Sequence, residues 1–196
     1  MKIFKESVRE LTDLRAVLVT GLLIAVSMVI ESFSINLGFA KINFAFLAIA
    51  SIGMLYGPFV AFFAGGMCDV LGFLVAPTGG FLPLYTLLGA LQGLIYGLIA
   101  YRILPKRTGR AFDIEILTRL IIARIIDIVF INLICNTAAN YHYGFLRTET
   151  GLAAAIIARI SKNLLELPFD IILIAVVLTA VLKAYTMVFG KRKTAA

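Results

Sequence analysis

Long apolar segments alternate with short polar ones along this chain. A helix that crosses a bilayer needs roughly 20 consecutive apolar residues, and the segments that approach this length lie near 15–33, 42–56, 58–75, 82–104, 116–141 and 159–188. The second is short and is predicted to be tilted or partly buried. Residues 1–14 carry charges of both signs, as an amphipathic lead does. The pattern predicts an all-α, integral membrane, six-helix bundle that forms a single domain over residues 1–196.

Glycine and proline mark where these segments end. Gly57-Pro58 predicts a tight turn, because proline disfavours helix at the residue before it, and the cluster Ala76–Phe81 predicts a loop. The last segment, extended back to Gly151, would be ~55 Å long as one helix, which exceeds the bilayer. The stretch Gly151–Ala158 is therefore predicted to be a short helix outside the membrane or at its surface.

The composition also indicates a membrane protein. Hydrophobic residues make up 61% of the 196 residues, whereas soluble domains contain roughly half. The formal net charge is +7, but most lysines and arginines lie at the termini and after the fourth segment, as the positive-inside rule places them. This distribution predicts cytoplasmic N- and C-termini, and it argues against nucleic acid as a partner.

Motifs of ATP hydrolysis and hydrolytic catalysis are missing from the sequence. It contains no Gly-x-x-x-x-Gly-Lys-Ser/Thr, no His-Glu-x-x-His and no Gly-x-Ser-x-Gly. His142 is the single histidine, and Cys68 and Cys135 show no metal-ligand spacing. We expect a protein that is not an enzyme, that holds no cofactor or metal, and that cannot power transport with ATP by itself.

A polar stretch between Asn132 and Pro168 interrupts the last two segments. Charged groups in a bilayer usually face a bundle interior or a water-filled cavity, so this stretch predicts a pocket at the outer end of the bundle. The alternative is that the side chains only join helices by hydrogen bonds. The polar residues on two helix faces are Asn132, Asn136 and Asn140 on the first and Arg159, Lys162, Asn163 and Glu166 on the second.

Charged residues also lie deeper within the apolar segments. Arg124 is predicted to pair with Asp127 or Asp170 in a structural role, for which a proton relay is the alternative. Asp69 is a lone carboxylate in the third segment.

Small residues predict where helices approach one another closely. In the first segment, Gly21-x-x-x-Ala25 predicts a close approach of another helix, either inside the bundle or from a partner. The glycines predicted to pack internally are Gly65, Gly66, Gly89, Gly93 and Gly97.

Aromatic residues gather at the predicted outer end. Aromatic residues collect at membrane interfaces in general, but rings also stack on a flat heteroaromatic ligand, and both interpretations stay open. The residues are Phe39, Phe73, Phe81, Tyr85, Tyr141 and Tyr143.

Several motifs occur in a definite order along the chain. They are Gly57-Pro58, Gly65-Gly66-x-x-Asp69-x-x-Gly72, Pro77-Thr78-Gly79-Gly80, Phe81-Leu-Pro83-Leu-Tyr85-Thr86, Gly93-Leu-Ile-Tyr96-Gly97, Asn136-Thr137 with Tyr143-Gly144, and Arg159-x-x-Lys162-Asn163-x-x-x-x-Pro168. This ordered set resembles the substrate-binding S component of energy-coupling factor (ECF) transporters, and most closely the folate-type (FolT) family. The chain departs from that family at Leu84, where glycine is frequent, and at Ala138-Ala139, where Leu-Trp is usual.

The resemblance implies a six-helix membrane protein that captures a vitamin, folate for the FolT type, from outside the cell. It further implies docking onto the transmembrane subunit EcfT, which is coupled to two ATPase subunits. ATP-driven movement would then topple the S component in the lipid bilayer and release the vitamin inside. The family docks through Ala-x-x-x-Ala on its first helix, for which the nearest match here is Gly21-x-x-x-Ala25.

The resemblance also implies a folate site, which must hold a flat pterin and a tail with two carboxylates. Arg147 is a further candidate cation for the tail, Asp69 a further candidate carboxylate for the pterin, and Gly38, Gly79 and Gly80 belong to the predicted lid loops. The ligand-binding residues expected are Lys41, Thr78, Phe81, Tyr85, Asn136, Tyr141, Arg159, Lys162, Asn163 and Glu166.

Three alternatives to folate capture remain. The same architecture could carry riboflavin, a pyrimidine precursor or pantothenate. A structural membrane protein of the MreD type would have no polar outer pocket. A solitary proton-coupled transporter would use Asp69, Asp127 or Asp170 and would need no ATPase partners.

Overall fold

The structure is a computed structural model that describes residues 2–32, 35–36, 41–42, 44–75, 80–101, 114–144 and 151–189. Within these ranges the chain is helical almost throughout. The helices are α1 (Lys2–Glu10), α2 (Leu14–Ser32), α3 (Phe46–Tyr56), α4 (Pro58–Val75), α5 (Pro83–Ala100), α6 (Ile114–Asp127), the π-helical π1 (Ile128–Cys135), α7 (Asn136–His142), α8 (Gly151–Leu173), the π-helical π2 (Ile174–Leu178) and α9 (Thr179–Phe189). Because π1 and π2 join their neighbours without a break, α6–π1–α7 and α8–π2–α9 each form one continuous rod.

The distribution of side chains is that of a membrane protein, with apolar groups outside and charges inside. Leu18 of α2 and Leu165 of α8 are 63% and 69% exposed, whereas Arg124 and Asp127 of α6 are 5% and 0% exposed. In water this arrangement would be unfavourable, because it hides charge and exposes hydrocarbon. In lipid it is the expected one.

Among the described residues, four helices are long and apolar enough to cross a membrane: Leu14–Glu31, Pro58–Val75, Pro83–Ala100 and Ile156–Phe189. The prediction of a helical membrane bundle is confirmed at this level. That the chain crosses the membrane six times with both termini in the cytoplasm stays a prediction.

Helix α3 lies at the centre of the bundle. All of its residues from Phe46 to Tyr56 are buried, and they pack against α2, α4, α5 and π2. Its 11 residues give a length of ~16 Å, about half the thickness of a bilayer core. The short second segment is thus a core helix enclosed by longer ones.

Helices α4 and α5 are joined along a seam of glycines. A Cβ atom added to Gly93 would lie 1.9 Å from the carbonyl oxygen of Ala61, and one added to Gly65 would lie 2.1 Å from that of Gly89. Backbones that approach so closely leave no space for a side chain. The predicted internal packing of these glycines is confirmed, while a Cβ at Gly66 would make only an ordinary contact at 3.7 Å.

The N-terminal helix α1 is attached to the bundle through Ser7. The buried Ser7 Oγ donates a hydrogen bond to the carbonyl of Tyr56 (2.7 Å) and accepts hydrogen bonds from the N–H groups of Phe59 (3.0 Å) and Val60 (3.2 Å). These N–H groups belong to the first turn of α4, where helical partners are lacking. Ser7 therefore caps α4 from a distant part of the chain, across the turn at Gly57 (φ 88°).

A short antiparallel pair, β1 (Ile35–Asn36) and β2 (Lys41–Ile42), lies between α2 and α3. With two residues in each strand, it leaves the all-α class unchanged. One expectation needs correction: Gly151–Ala158 is not a separate short helix, since α8 begins at Gly151 and continues unbroken. This alanine-rich stretch contains no breaker inside it, and alanine has the highest helix propensity.

Candidate functional site

The first turn of α5 meets the end of α7 through polar and aromatic contacts. Pro83 starts α5 with its φ already suited to a helix, which places Tyr85 in the first turn. The Tyr85 hydroxyl donates to Asn140 Oδ1 (2.5 Å). The Tyr85 ring stacks on that of Tyr143, with centroids 6.0 Å apart and planes inclined by 28°. We call this group of three residues the aromatic end.

The π-helical segment π1 brings Arg159 of α8 to the same end of the bundle. The N–H of Asn136 bonds to the carbonyl of Ile131, five residues earlier, instead of four. π-Helical segments often occur at functional sites. Here the Arg159 Nη1 donates to the backbone carbonyl of Asn132 (3.2 Å), and the Asn136 amide contacts the Asn132 amide at 3.5 Å. The guanidinium of α8 therefore binds the backbone of π1 beside the predicted asparagine face.

Below Arg159, α8 presents a cation and a carboxylate to the bundle. Lys162 Nζ lies 3.4 Å from Glu166 Oε1, one turn further along the helix. This contact is an ion pair without hydrogen-bond geometry, and Glu166 Oε1 is buried with no hydrogen-bond partner among the described residues. Glu166 also interacts electrostatically with Asp170 and Arg124.

A buried ionic network lies deeper still. Arg124 donates through Nε (3.0 Å) and Nη2 (2.8 Å) to Asp170 Oδ2, and through Nη1 to Asp127 Oδ2 (2.8 Å). Gln92 Nε2 adds a bond to Asp127 Oδ2 (2.9 Å), and the guanidinium lies 3.8 Å from the centroid of the Phe46 ring. The predicted pairing of Arg124 is confirmed with both carboxylates. The network ties α3, α5, α6 and α8 together in the interior.

Several residues predicted for the site do not join it. Tyr141 is 62% exposed, and the ring of Phe81 packs against Phe73 with centroids 5.3 Å apart. Asn163 lines a separate apolar groove of about 220 Å³ between π1 and α8, among Ile128, Leu133 and Leu164.

The remaining predicted residues are either only partly described, outside the described residues, or bonded elsewhere in the bundle. Lys41 is in β2, and only its backbone is described; Thr78, Gly38, Gly79, Phe39 and Arg147 lie outside the described residues. Asp69 of α4 accepts a hydrogen bond from the Thr86 hydroxyl of α5 (2.5 Å), so it is paired within the bundle.

The sequence profile of the family described as "ECF transporter, substrate-specific component" matches residues 15–178. The chain is a member of this family of ECF transporter S components. The resemblance found in the motifs is therefore confirmed, and membership decides against the non-transport alternative of the MreD type.

Curated relatives and a solved structure agree with the assignment. The S component described here is 30% identical over 143 residues to the folate transporter FolT of Clostridium novyi (strain NT), covering 72% of this chain and 74% of that protein. It is 24% identical over 160 residues to FolT of Leuconostoc mesenteroides, covering 81% and 82% of the two chains. A crystal structure of FolT bound with folic acid superposes with a TM-score of 0.66 at 30% identity, covering 82% of this chain and 90% of that one.

Sequence reasoning left three contributors out of the expected site of this S component. Asn140 and Tyr143 were visible as part of the polar and aromatic patterns, but nothing in the sequence pairs them with Tyr85, which is 55 residues from Asn140. Gln92 carried a signal of its own, because it is an amide within an otherwise apolar segment. Such residues usually hydrogen-bond across helices, and Gln92 does so with Asp127.

Proposed function

We propose that this protein is the folate-capturing S component of an ECF transporter in a bacterial cell membrane. The observation that carries the proposal is the meeting of aromatic, amide and guanidinium groups at one end of a chain that is 30% identical to FolT. In the proposed orientation this end faces outward, and both termini lie in the cytoplasm. Folate is preferred over other vitamins because of the relatives named above.

The aromatic end suits the pterin. A flat heteroaromatic ring binds well against aromatic faces with a few polar groups at its edge. Tyr85 and Tyr143 supply two nearly parallel rings, and the amide of Asn140 lies beside them. Asn136 is close by on the same rod, and its long contact with Asn132 at 3.5 Å leaves its amide able to bond elsewhere.

The glutamate tail requires cations, which α8 provides. Arg159 and Lys162 are three residues apart and therefore project from the same side of the helix. Each contributes a charge-assisted hydrogen bond to a carboxylate, worth about 1.5–3 kcal/mol. In this proposal Lys41, Thr78 and Arg147 complete the site from the loops, with Gly38, Gly79 and Gly80 in the lid.

Docking to EcfT is assigned to the outside of α2. Gly21 and Ala25 are both exposed, and no atom of the described residues lies within 4 Å of a Cβ atom added to Gly21. The exposed apolar residues Leu18 and Leu22 flank them. A track of small residues between larger apolar ones allows a second membrane helix to approach closely, so this face suits EcfT, which is coupled to two ATPase subunits.

The complete function is tested by vitamin uptake into proteoliposomes. The vesicles contain the chain together with EcfT and both ATPase subunits, and they receive labelled folate, riboflavin or thiamine in parallel. We expect folate uptake that requires ATP and requires this chain. ATP-dependent uptake of riboflavin without folate would move the proposal to that vitamin. Folate uptake that follows a proton gradient without the ATPase subunits would contradict it.

A further inference from the structure

Three ionisable side chains follow one face of α8 from the proposed site into the interior. Lys162, Glu166 and Asp170 are each four residues apart, so they lie on one side of the helix at steps of ~6 Å. Lys162 pairs with Glu166, and Asp170 pairs with Arg124. The face therefore connects the tail cations to the buried network.

The charges along this face balance only as long as Lys162 stays with Glu166. The interior network contains one guanidinium, Arg124, and two carboxylates, Asp127 and Asp170, so it has an excess negative charge. The guanidinium is already bonded to both carboxylates. Its hydrogen bonds are therefore made to Asp127 and Asp170, and the ion-pair partner of Glu166 among the described residues is Lys162.

Three charged groups of the described elements act on Glu166. On its own helix these are Lys162 and Asp170, and from α6 the group is Arg124. Behind Arg124 lies Asp127, with the neutral Gln92 and the buried hydroxyl of Tyr96 from α5.

An anionic ligand changes this balance, and here the argument rests on the proposed function. A ligand carboxylate at Arg159 and Lys162 competes with Glu166 for the ammonium group. Glu166 Oε1 is buried and lacks a hydrogen-bond donor among the described groups, so an ionised Glu166 without Lys162 would be a poorly compensated charge next to a negative network. A buried carboxylate in that position is neutralised instead of remaining charged.

We propose that Glu166 takes up one proton from solution when an anionic ligand draws Lys162 away, so that vitamin binding is coupled to proton uptake. A new O–H bond forms on the carboxylate, and the proton comes from the buffer. The complex then holds more protons than the free protein, so affinity rises as the pH falls, by up to ~tenfold per pH unit for one linked proton. The coupling is reciprocal, because each binding event favours the other.

The test is calorimetric titration of folate into the purified chain at pH 7, in phosphate and in Tris at equal ionic strength. These buffers differ in their enthalpy of ionisation, so the difference in observed heat gives the number of protons taken up. We expect roughly one proton for the unmodified chain. Glu166→Gln removes the acceptor and should bring the number close to zero while folate still binds.

Two further variants make the result decisive. In Lys162→Met, Glu166 has lost its cation before the ligand arrives, so it is already protonated and the uptake is again lost. Glu115→Gln removes an exposed carboxylate that pairs with Arg119, and it should keep the uptake of the unmodified chain. Equal heats in both buffers for the unmodified chain, or an unchanged uptake in Glu166→Gln, would overturn the inference. Absence of folate binding in either buffer would instead contradict the proposed function and the inference with it.

Discussion

Replacing Arg124 by methionine should be among the most damaging single substitutions in the interior. Methionine has a similar length and fills the space beside Phe46, but it carries no charge. It leaves Asp127 and Asp170 without their shared cation, and among the described residues the donor that remains is Gln92, which bonds to Asp127. Both carboxylates are almost fully buried, with side-chain exposures of 0% and 4%.

The expected cost follows from the pairs that are broken. Removing one partner of a buried ion pair costs about 3–5 kcal/mol, because the other charge stays buried and uncompensated. For a chain of this size, each kcal/mol lowers the unfolding temperature by ~2–4 °C, which gives a decrease of ~6–20 °C. Asp127→Asn should behave differently. It removes the excess negative charge and preserves the two bonds between Arg124 and Asp170, so we expect a change within about 1 kcal/mol.

Thermal unfolding in detergent, followed by loss of helical circular dichroism, measures this difference. Arg119→Met is the control, because Arg119 is half exposed and its pair with Glu115 is worth well under ~1 kcal/mol. If Arg124→Met unfolds at the temperature of Arg119→Met, the argument that uncompensated buried charge destabilises the interior is refuted. It is also refuted if Asp127→Asn is as unstable as Arg124→Met.

Three further predictions concern the site, the docking face and the glycine seam. Arg159→Ala should weaken folate binding ~tenfold or more in a calorimetric titration, from the loss of a charge-assisted hydrogen bond, whereas Arg119→Ala should not; equal affinities would remove Arg159 from the site. Gly21→Leu should preserve folate binding but abolish ATP-driven uptake with EcfT, and normal uptake would place the docking face elsewhere. Gly93→Ala should lower the unfolding temperature, since its Cβ would lie 1.9 Å from a carbonyl oxygen and overpacking costs ~1–3 kcal/mol. A Cβ atom at Gly66 has ordinary space. Similar unfolding temperatures of Gly93→Ala and Gly66→Ala would therefore contradict the close packing of the glycine seam.

The sequence predicts those features that depend on local composition. Gly57-Pro58 ends α3 and begins α4, as the turn chemistry indicates. The glycine seam follows from small residues at helical spacing. The ionic network follows from the cost of an unpaired charge, since Arg124 had only buried carboxylates within reach.

Features that depend on packing could not be predicted in this way. The first turns of α8 have a composition that would also suit a separate surface helix. Hydropathy does not tell where a long helix leaves the membrane, so the sequence could not distinguish the two structures. Asn163 lies about 100° around the helix from Lys162, and without the neighbouring helix its direction is undetermined. Asn163 lines the apolar groove, whereas Lys162 pairs with Glu166.

The partners within the site were the least accessible part. Tyr85 contacts Asn140 across 55 residues of chain, and Arg159 reaches a backbone carbonyl of the π-helical π1. A periodic pattern of 3.6 residues gives no sign of a π-helical segment. The sequence therefore indicates the residue types of the site, while their pairing depends on the fold.

The most direct test of folate capture is a calorimetric titration of the purified chain in detergent with folate, riboflavin and thiamine in parallel. Calorimetry is suitable because the chain contains no tryptophan to report binding by fluorescence. We expect tight one-to-one binding of folate and no binding of riboflavin or thiamine. Tight binding of another vitamin, or no binding of any by the folded protein, would contradict it.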